Sequence, residues 1–467
     1  MAKLRWRFGA DGEALRTQVG ERIGNRIRIR SSRSCALYGP FLELPSGHGT
    51  AHIVLTGPSR GLVRMQVTAD RGKRIIASRI FNLSGWNKPR LELDFTADEP
   101  LADVEVRLFC RFGVSLEIEG VEIDLDRQVT AEPLRADRPV GYETRKTYGD
   151  KIESGFFARY LSGPNVMEVG YKGYDGATVP VVPQAIGVDI GYAGYDGSSF
   201  PFADESFDAI YSSHCFEHIG PWKEVLRDWH RILKTNGFLV IVVPHQLLFE
   251  RKRHLPSYFN GDHKRYYTPR SLLAELEEAF EENSYRIRHL VENDKGFDYR
   301  PAPGQGSSGC YEIELVVEKI RQPYWTIDDG SVRTYTAGEF RTVARPSGPW
   351  SIDLELAQPH QCLIWGPYIA LPRGAFEVEF HFEPVDADGD MPPLVFDVAV
   401  EGAPIASSRM AGEAVREALR RGSVALPFQN ERAGAIFEFR IFCGKQTSPF
   451  MPRFKGVVVR YADTPRE

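Results

Sequence analysis

The segment from 165 to 263 alternates short apolar runs with turns or amphipathic stretches, and this alternation limits the fold more than any other feature. The runs lie at 166–170, 185–189, 208–213 and 238–244; the first ends in glycine and the second in an acid. Strands that alternate with crossover connections form parallel sheets, whose ligands bind where the strands end. We therefore predict an α/β domain with a ligand site at the carboxyl ends of these four strands.

A second, more specific pattern runs through the same segment. Residues 200–218 read FPFADESFDAIYSSHCFEH, residues 231–237 read RILKTNG, and the last apolar run ends in Val243 and Pro244. Several separated elements in this order resemble the class I S-adenosylmethionine (SAM) dependent methyltransferases, especially their type 11-like group. The resemblance covers about a third of the chain and is more specific than a glycine turn alone.

This resemblance implies a Rossmann-like domain with SAM as its cofactor. In the family, small residues after the first strand let the backbone approach SAM, and an acid after the second strand accepts its ribose hydroxyls. The turn here lacks the family's third glycine, and two prolines disfavour a helix in the crossover that follows. The cofactor-binding residues implied by the resemblance are Glu168, Gly170, Tyr171, Gly173, Asp189, Ile190, Ser199, Phe200 and Ser213.

Histidines are the candidate catalytic residues. Methyl transfer to a hydroxyl group needs a base for the departing proton, and an imidazole titrates in a suitable range. The polar segment 244–269 follows the fourth strand and supplies His245 and His263, our first candidates; His214, after the third strand, is another. His214, Glu217 and His218 have a spacing that can bind a metal, but in related methyltransferases the Glu-His pair caps and packs a helix, so we expect no metal.

The regions before and after this domain have a different pattern. Residues 1–135 and 325–467 contain short strand-like runs between glycine and proline turns, which is typical of β-sandwiches of the jelly-roll kind. The α/β domain is assigned to 141–322. The predicted fold class is therefore multidomain α/β plus all-β, with a Rossmann-like methyltransferase domain between two β-sandwich domains.

The two flanking regions repeat one another. Residues 35–47 align with 362–374, and six of these thirteen positions are identical. Residues 106–110 likewise match 439–443 at a nearly equal spacing. Each copy has a Gly-Pro turn before an apolar strand, which sets a sharp change of direction. We interpret the repeat as an internal duplication.

Composition limits partners and location. The net charge of −5 and pI of about 6.2 do not indicate a nucleic-acid partner. The six cysteines form no CxxC pair, so neither a structural zinc site nor a disulfide framework is expected. No apolar run approaches the roughly 20 residues of a transmembrane helix, and no signal sequence precedes the first strand. We expect a cytoplasmic protein with reduced thiols.

The flanking domains suggest the acceptor. Sandwiches of this size resemble carbohydrate-binding modules, and Tyr38, Trp86, Trp350 and Trp365 are candidates for stacking on sugar rings, although each also suits a core. We predict a SAM-dependent O-methyltransferase for a sugar hydroxyl of a bacterial polysaccharide or glycan precursor. Two alternatives stay open: a degenerate fold that binds glycans or partners without turnover, and a methyltransferase for a small molecule or protein whose sandwiches serve assembly, such as a homo-oligomer.

Overall fold

The structure is a computed structural model that describes residues 2–462 except 32, 85–88, 130–131, 172–176, 307, 324–329, 344, 349, 355–360, 386–390, 433 and 445–451. It divides into two compact units, Met1–Pro323 and Tyr324–Glu467. In the described part of the chain, no helix is long and apolar enough to cross a membrane. All six cysteines are free thiols. The predicted boundaries 1–135, 141–322 and 325–467 remain a prediction.

Nine antiparallel strands form the first part of the first unit. Their bounds are β1 (Ala2–Gly9), β2 (Gly20–Ile23), β3 (Arg26–Ser31), β4 (Ser34–Leu37), β5 (Pro40–Leu44), β6 (Gly47–Ala69), β7 (Arg74–Asn82), β8 (Arg90–Ala97) and β9 (Leu101–Arg127). The first half of β6 pairs with β8 and its second half with β7, while β9 accompanies β6 along both halves. The apolar runs 51–55 and 62–68 thus lie in the two halves of one long strand.

Alternating side chains of these strands fill the first core. Leu4, Trp6 and Phe8 of β1 are buried, as are Leu91 and Leu93 of β8, while the residues between them are more exposed. Burying one such side chain fully contributes about 1.5–3 kcal/mol, so this face of each strand fixes the register.

A six-stranded sheet forms the second part of the first unit. Its elements are α1 (Tyr142–Glu153), α2 (Phe156–Tyr160), β10 (Val166–Val169), β11 (Ala185–Val188), β12 (Phe207–Ser213), α3 (Trp222–Ile232), β13 (Leu233–Pro244), α4 (Pro269–Ala279), β14 (Tyr285–Asn293) and β15 (Glu312–Lys319). The strand order is β11-β10-β12-β13-β15-β14. The first four strands are parallel, and β15 is antiparallel to both of its neighbours.

Helices cover both faces of this sheet. Tyr148 of α1 and Phe157 of α2 share a core with Val166, whereas Trp229 of α3 and Leu276 of α4 share the other with Met167 of the same strand. Successive strand residues point to opposite faces, so the two helix pairs lie on opposite sides. Between β10 and β11, however, the described residues contain no helix. The Rossmann-like arrangement in its strict sense therefore remains a prediction.

Local signals set the helix ends. α4 starts at a strong local signal, because the Thr268 side chain accepts from the backbone of Ser271 and proline occupies the first helical position. α1 begins at Tyr142, and the helical segment is interrupted at Gly155, whose φ of 71° is left-handed. The first helix therefore ends before the aromatic run that forms α2.

Among its described residues, the second unit contains two sheets and one α-helix. Its elements are β16 (Val332–Thr336), β17 (Arg341–Thr342), β18 (Arg345–Gly348), β19 (Ser351–Asp353), β20 (Cys362–Trp365), β21 (Pro367–Ala370), β22 (Gly374–Phe382), β23 (Leu394–Val400), β24 (Ala403–Met410), α5 (Glu413–Arg421), β25 (Ser423–Asn430), β26 (Ile436–Cys443) and β27 (Arg453–Tyr461). β22 lies between β25 and β27, and β23 lies between β24 and β26.

The repeated sequence motif has the same conformation in both copies. The peptide bonds Gly39–Pro40 and Gly366–Pro367 are both cis, and the next residues, Phe41 and Tyr368, have φ values of 70° and 65°. The pairing of β22 with β25 and β27 also corresponds to that of the first half of β6 with β8 and β9. Shared pairings and turns are what an internal duplication would produce.

Candidate functional site

Four neighbouring strands of the central sheet end at one edge. β10 is parallel to β11 and β12, and β12 is parallel to β13. The residues that follow them are Gly170, Asp189, His214 and His245, all singled out by the sequence. Because parallel strands run in one direction, their carboxyl ends share an edge, which is where α/β sheets bind ligands.

The glycine turn follows β10. Gly170 has a φ of 88° and donates its N–H to the Val188 carbonyl at 2.9 Å. A Cβ atom here would come within 2.8 Å of the Cys215 Cβ atom, so only glycine fits without displacement. The Tyr171 hydroxyl donates to the Thr178 carbonyl at 2.8 Å. Gly173, also predicted to bind the cofactor, lies outside the described residues.

Glu168 stabilises the crossover after this turn. Its side chain is buried and accepts the Val181 backbone N–H at 2.7 Å. Burial raises the pKa of Glu168 to about 7, although this hydrogen bond opposes the change. The carboxyl group therefore holds the backbone at Val181, and its role toward a cofactor remains a prediction.

The second strand ends in the predicted acid. Asp189 is half-buried, and its Oδ1 accepts the backbone N–H of Ile190 at 2.7 Å. Ile190 itself is exposed. The Asp189 carbonyl also accepts the Tyr192 N–H at 2.8 Å, which starts a tight turn. The carboxylate is thereby oriented by its own turn beside the exposed Ile190.

Helix α3 holds the loop that contains Ser199 and Phe200. The buried Asp228 accepts the Ser199 hydroxyl at 2.8 Å and the Phe200 N–H at 2.9 Å. The Phe200 ring stacks on Tyr195, with the ring centroids 4.3 Å apart. An additional contact of Asp228 with Arg231 at 2.6 Å keeps its charge compensated. Helix α3 consequently fixes Ser199 and Phe200, two of the predicted cofactor-binding residues. Ser213, another of them, is half-buried at the end of β12.

His214 follows β12 in a left-handed conformation, with a φ of 49°. Its Nε2 atom lies 3.3 Å from Glu312 Oε1, and its Nδ1 atom lies 3.9 Å from Glu217 Oε1. Burial disfavours the charged ring, but the carboxylates of Glu312 and Glu217 outweigh it and raise the pKa of His214. Glu312 therefore holds the Nε2 atom, and the Nδ1 atom faces the carboxylate of Glu217.

Two more histidines approach the same carboxylate. His263 Nε2 and His218 Nε2 lie 4.0 Å and 3.8 Å from Glu217 Oε1. The other ring nitrogen of His263 is 2.6 Å from Glu250 Oε1, and that of His218 is 3.2 Å from an oxygen of Asp262. Glu217 is thus the centre on which His214, His218 and His263 converge.

His245 belongs to a different environment. Its Nδ1 accepts the Leu247 backbone N–H at 3.0 Å, and its Nε2 lies 2.9 Å from Glu292 Oε1. It caps the short helical turn Gln246–Glu250. Both of its ring nitrogens are engaged, so it is less suited to proton transfer than His214 or His263; its catalytic role remains a prediction.

Behind His214 lies a buried charge network. Lys151 is buried, with 4% of the residue exposed. Its ammonium group lies 3.2 Å from Glu312 Oε2 and 2.9 Å from Glu314 Oε1. Burial lowers the pKa of Lys151, but the two carboxylates outweigh burial and raise it. Lys151 thereby compensates the carboxylate that orients His214.

The nine-stranded sheet contacts the loop that follows Asp189. Trp6 Nε1 donates to the Tyr192 hydroxyl at 2.9 Å, and the Arg7 N–H donates to the Pro201 carbonyl at 2.7 Å. Beside this contact lies a groove of about 1150 Å³. Its charged lining comprises Arg7, Asp11, Glu13, Arg16, Arg71, Asp103 and Asp196. The groove is therefore polar and formed jointly by β1, sandwich turns and the loop.

Sequence reasoning missed the carboxylates that hold the histidines. Glu250 and Glu312 are both buried, and each contacts a predicted catalytic ring. One signal was available: Glu312 and Glu314 interrupt an otherwise apolar strand, and buried acids require partners. The identity of those partners, Lys151 and His214, depends on contacts between residues far apart in sequence.

Comparison with protein-family models finds a match to the methyltransferase domain over residues 174–241. A search of curated proteins finds no match. The matched segment contains the second and third strands of the site, the loop between them and helix α3. It covers Asp189, Ser199, Phe200 and the His214–His218 turn, which are the elements on which the resemblance was based.

Solved structures give weaker similarities. The YcgJ protein of Bacillus subtilis is 15% identical, with 38% of this chain and 99% of that chain covered and a TM-score of 0.28. A SAM-dependent methyltransferase from Mesorhizobium loti is 12% identical, with 33% and 90% covered and a TM-score of 0.23. The C-terminal family 6 carbohydrate-binding module of LamC from Zobellia galactanivorans is 13% identical, with 26% and 98% covered and a TM-score of 0.20.

With TM-scores below 0.5, these similarities carry no weight for the fold or the ligand. The family match and the sheet edge are independent of them. Together, the match over residues 174–241 and the convergence of the strand ends support a SAM-dependent methyltransferase core in this chain, with SAM as the implied cofactor.

Proposed function

We propose that this protein is a SAM-dependent O-methyltransferase whose acceptor is a sugar hydroxyl of a polysaccharide or glycan precursor. The observation that carries the enzyme part is the sheet edge, where Gly170, Asp189 and His214 follow three adjacent parallel strands. The match to the methyltransferase domain covers two of these strands. A cytoplasmic location and a homo-oligomeric state belong to the same proposal.

The cofactor would bind across the ends of β10, β11 and β12. Gly170 permits the left-handed turn in which Cys215 packs against the backbone, and the amino acid part of SAM would bind beside this turn. Asp189 supplies a half-buried carboxylate suited to two neighbouring hydroxyls of a ribose. Ser199 and Phe200, fixed by Asp228, would flank the adenine ring. Ser213 would lie beside the transferable methyl group.

Among the three histidine candidates, His214 has the best arrangement for a base. Glu312 holds its Nε2 atom and leaves Nδ1 directed elsewhere, as in histidines that exchange a proton at one ring nitrogen. In the reaction, the acceptor oxygen attacks the methyl carbon and the carbon–sulfur bond of SAM breaks. The hydroxyl proton passes to His214 Nδ1, and the products are the methyl ether and S-adenosylhomocysteine.

The sugar part of the proposal rests on the sandwiches. Trp350 is 66% exposed in the second unit, and Tyr38 and Trp365 are half-buried; Trp86 lies outside the described residues. Exposed aromatic rings stack well on the apolar faces of sugars. The polar groove beside β1 offers hydrogen-bonding groups of both charges to a hydroxyl-rich chain.

Transfer of label from methyl-tritiated SAM tests the proposal directly. The full-length protein is incubated with a panel of polysaccharides and, separately, with small phenols and carboxylic acids. We expect label in a polysaccharide fraction, loss with Asp189→Ala and strong reduction with His214→Gln. Asp208→Asn is the control, because Asp208 begins β12 at the opposite edge. Label only in small molecules would contradict the sugar acceptor.

One observation favours a different function, a degenerate domain that binds glycans or partners without turnover. A Cβ atom on Gly187 would lie 2.2 Å from the Tyr171 ring, so this ring covers the end of the second strand beside the glycine turn. A bulky side chain at this position reduces the space where the family has small residues. Glycan binding without any SAM binding would favour this alternative.

A further inference from the structure

The carboxylate of Glu217 is buried without a hydrogen-bond donor. The residue is 1% exposed, and neither of its side-chain oxygens accepts a hydrogen bond from any residue that the structure describes. A buried carboxylate is costly unless it is paired or coordinates a metal. Its surroundings therefore have to supply a positive charge.

The neighbouring histidines lie at a distance that suits a shared ion better than a hydrogen bond. His218 Nε2 and His263 Nε2 are 3.8 Å and 4.0 Å from Glu217 Oε1. Hydrogen bonds of this type are shorter than about 3.2 Å. When two ligand atoms each lie about 2.1 Å from a tetrahedral ion, they are about 3.4 Å apart. The observed separations exceed this ligand–ligand distance by about half an ångström. The donor atoms of the three residues all lie within 4.8 Å of one another.

Carboxylates also lie beside the other nitrogen of each ring. Glu250 lies 2.6 Å from His263 Nδ1 and is hydrogen-bonded to it, and an oxygen of Asp262 lies 3.2 Å from His218 Nδ1 without forming a hydrogen bond. A metal-binding histidine commonly donates its other N–H to a carboxylate, which fixes the tautomer and leaves the ligand nitrogen unprotonated. In His263, the nitrogen that remains is the one near Glu217, and in His218 it is also Nε2 that faces this carboxylate.

We propose that Glu217, His218 and His263 bind one divalent transition-metal ion of the Zn²⁺ type. Two imidazoles and one carboxylate are a recurrent ligand set of catalytic zinc sites, which keep a fourth position open. Imidazole nitrogens select this class over Mg²⁺ and Ca²⁺, which prefer oxygen ligands. From the sequence we expected no metal, because the Glu-His pair of related methyltransferases caps and packs a helix; the sequence did not place His263 beside this pair.

Metal binding does not depend on the proposed reaction, but it would assist it. His214 Nδ1 lies 3.9 Å from the same Glu217 oxygen, so the proposed base is next to the ion. An ion with an open position lowers the pKa of a bound hydroxyl and holds it in place. In this role, which rests on the proposed function, the acceptor oxygen binds the ion at its open position.

Titration of chelator-treated, full-length protein with Co²⁺, followed by visible absorption, tests the site. We expect one ion per chain, displaced by Zn²⁺, with at least tenfold weaker binding in His218→Ala and in His263→Ala. His254→Ala is the matched control, because His254 is exposed in the same segment, and its affinity should equal that of the wild type. Absence of binding, or equal affinity in all variants, would overturn the proposal.

Glu217→Gln separates a lost ligand from a lost fold. The substitution removes the unpartnered charge and keeps the shape, so the metal-free variant should melt no lower than the metal-free wild type. Zn²⁺ should raise the melting temperature of the wild type and not that of the variant; an equal rise would overturn the site. SAM affinity, measured separately, distinguishes a failed metal site from a failed methyltransferase proposal.

Discussion

Replacement of Lys151 by methionine tests whether the buried charge network stabilises the site. Lys151 lies 3.2 Å from Glu312 and 2.9 Å from Glu314, and all three residues are buried. Methionine keeps an unbranched side chain that is one heavy atom shorter, and it removes the charge together with its hydrogen-bond donors. After the substitution, Glu312 retains His214 as a partner, and Glu314 retains His289 and Asn293.

The expected loss in the free energy of unfolding is large. Removing one partner of a buried ion pair costs about 3–5 kcal/mol, because an uncompensated charge is left behind. A loss of this size lowers the melting temperature by on the order of 10 °C. The assay is urea unfolding at pH 7.5 followed by tryptophan fluorescence. Lys295→Met is the control, because the pair of Lys295 with Asp150 is exposed and screened by solvent, so its loss should hardly change the stability.

The loss of stability caused by Lys151→Met should be smaller at low pH than at pH 7.5. Although burial opposes its charge, the contacts with His289 and Lys151 lower the pKa of Glu314 from 4.5 to about 2. The resulting stability is present above the unfolded value of 4.5 and is lost as the pH falls toward 2. In Lys151→Met, the carboxyls take up protons at higher pH, so the penalty should shrink below pH 5. A penalty under 1 kcal/mol at pH 7.5 would refute the reasoning.

Three further perturbations have measurable outcomes. Glu168→Gln should raise the free energy of unfolding at pH 8 by up to about 3 kcal/mol and by almost nothing at pH 4. The reason is that burial raises the pKa of Glu168 from 4.5 to about 7, so its charged form destabilises the folded state at high pH. Chemical denaturation at both pH values checks this. Gly170→Ala should weaken SAM binding at least tenfold in calorimetry, since a Cβ atom would meet Cys215 and the φ is left-handed; unchanged affinity would contradict it. Trp350→Ala should weaken retention on a glycan affinity gel without changing the melting temperature.

Much of the site's framework follows from local sequence signals. The four strands that end at Gly170, Asp189, His214 and His245 could be located because each is an apolar run with a distinct stop. The start of α4 could be predicted because the cap at Thr268 and the proline that follows act within one turn.

The rest depends on contacts between distant residues. Glu312 and Lys151 are 161 positions apart, and their pairing results from the order in which β15 and α1 join the sheet. The convergence of His218 and His263 on Glu217 likewise requires the segment after β13 to fold back onto the end of β12. Neither arrangement has a periodic or local signal. Strand length was also hidden, because β6 and β9 each continue through a turn-like sequence.

Calorimetric titration of SAM and S-adenosylhomocysteine into the full-length protein tests the central claim most directly. We predict micromolar binding of both ligands, lost in Asp189→Ala and retained in Asp208→Asn, whose side chain contacts the Asn165 N–H at the opposite edge of the sheet. No binding at millimolar SAM, from protein with an intact melting transition, would contradict the methyltransferase account and leave the sandwiches as the functional part of the chain.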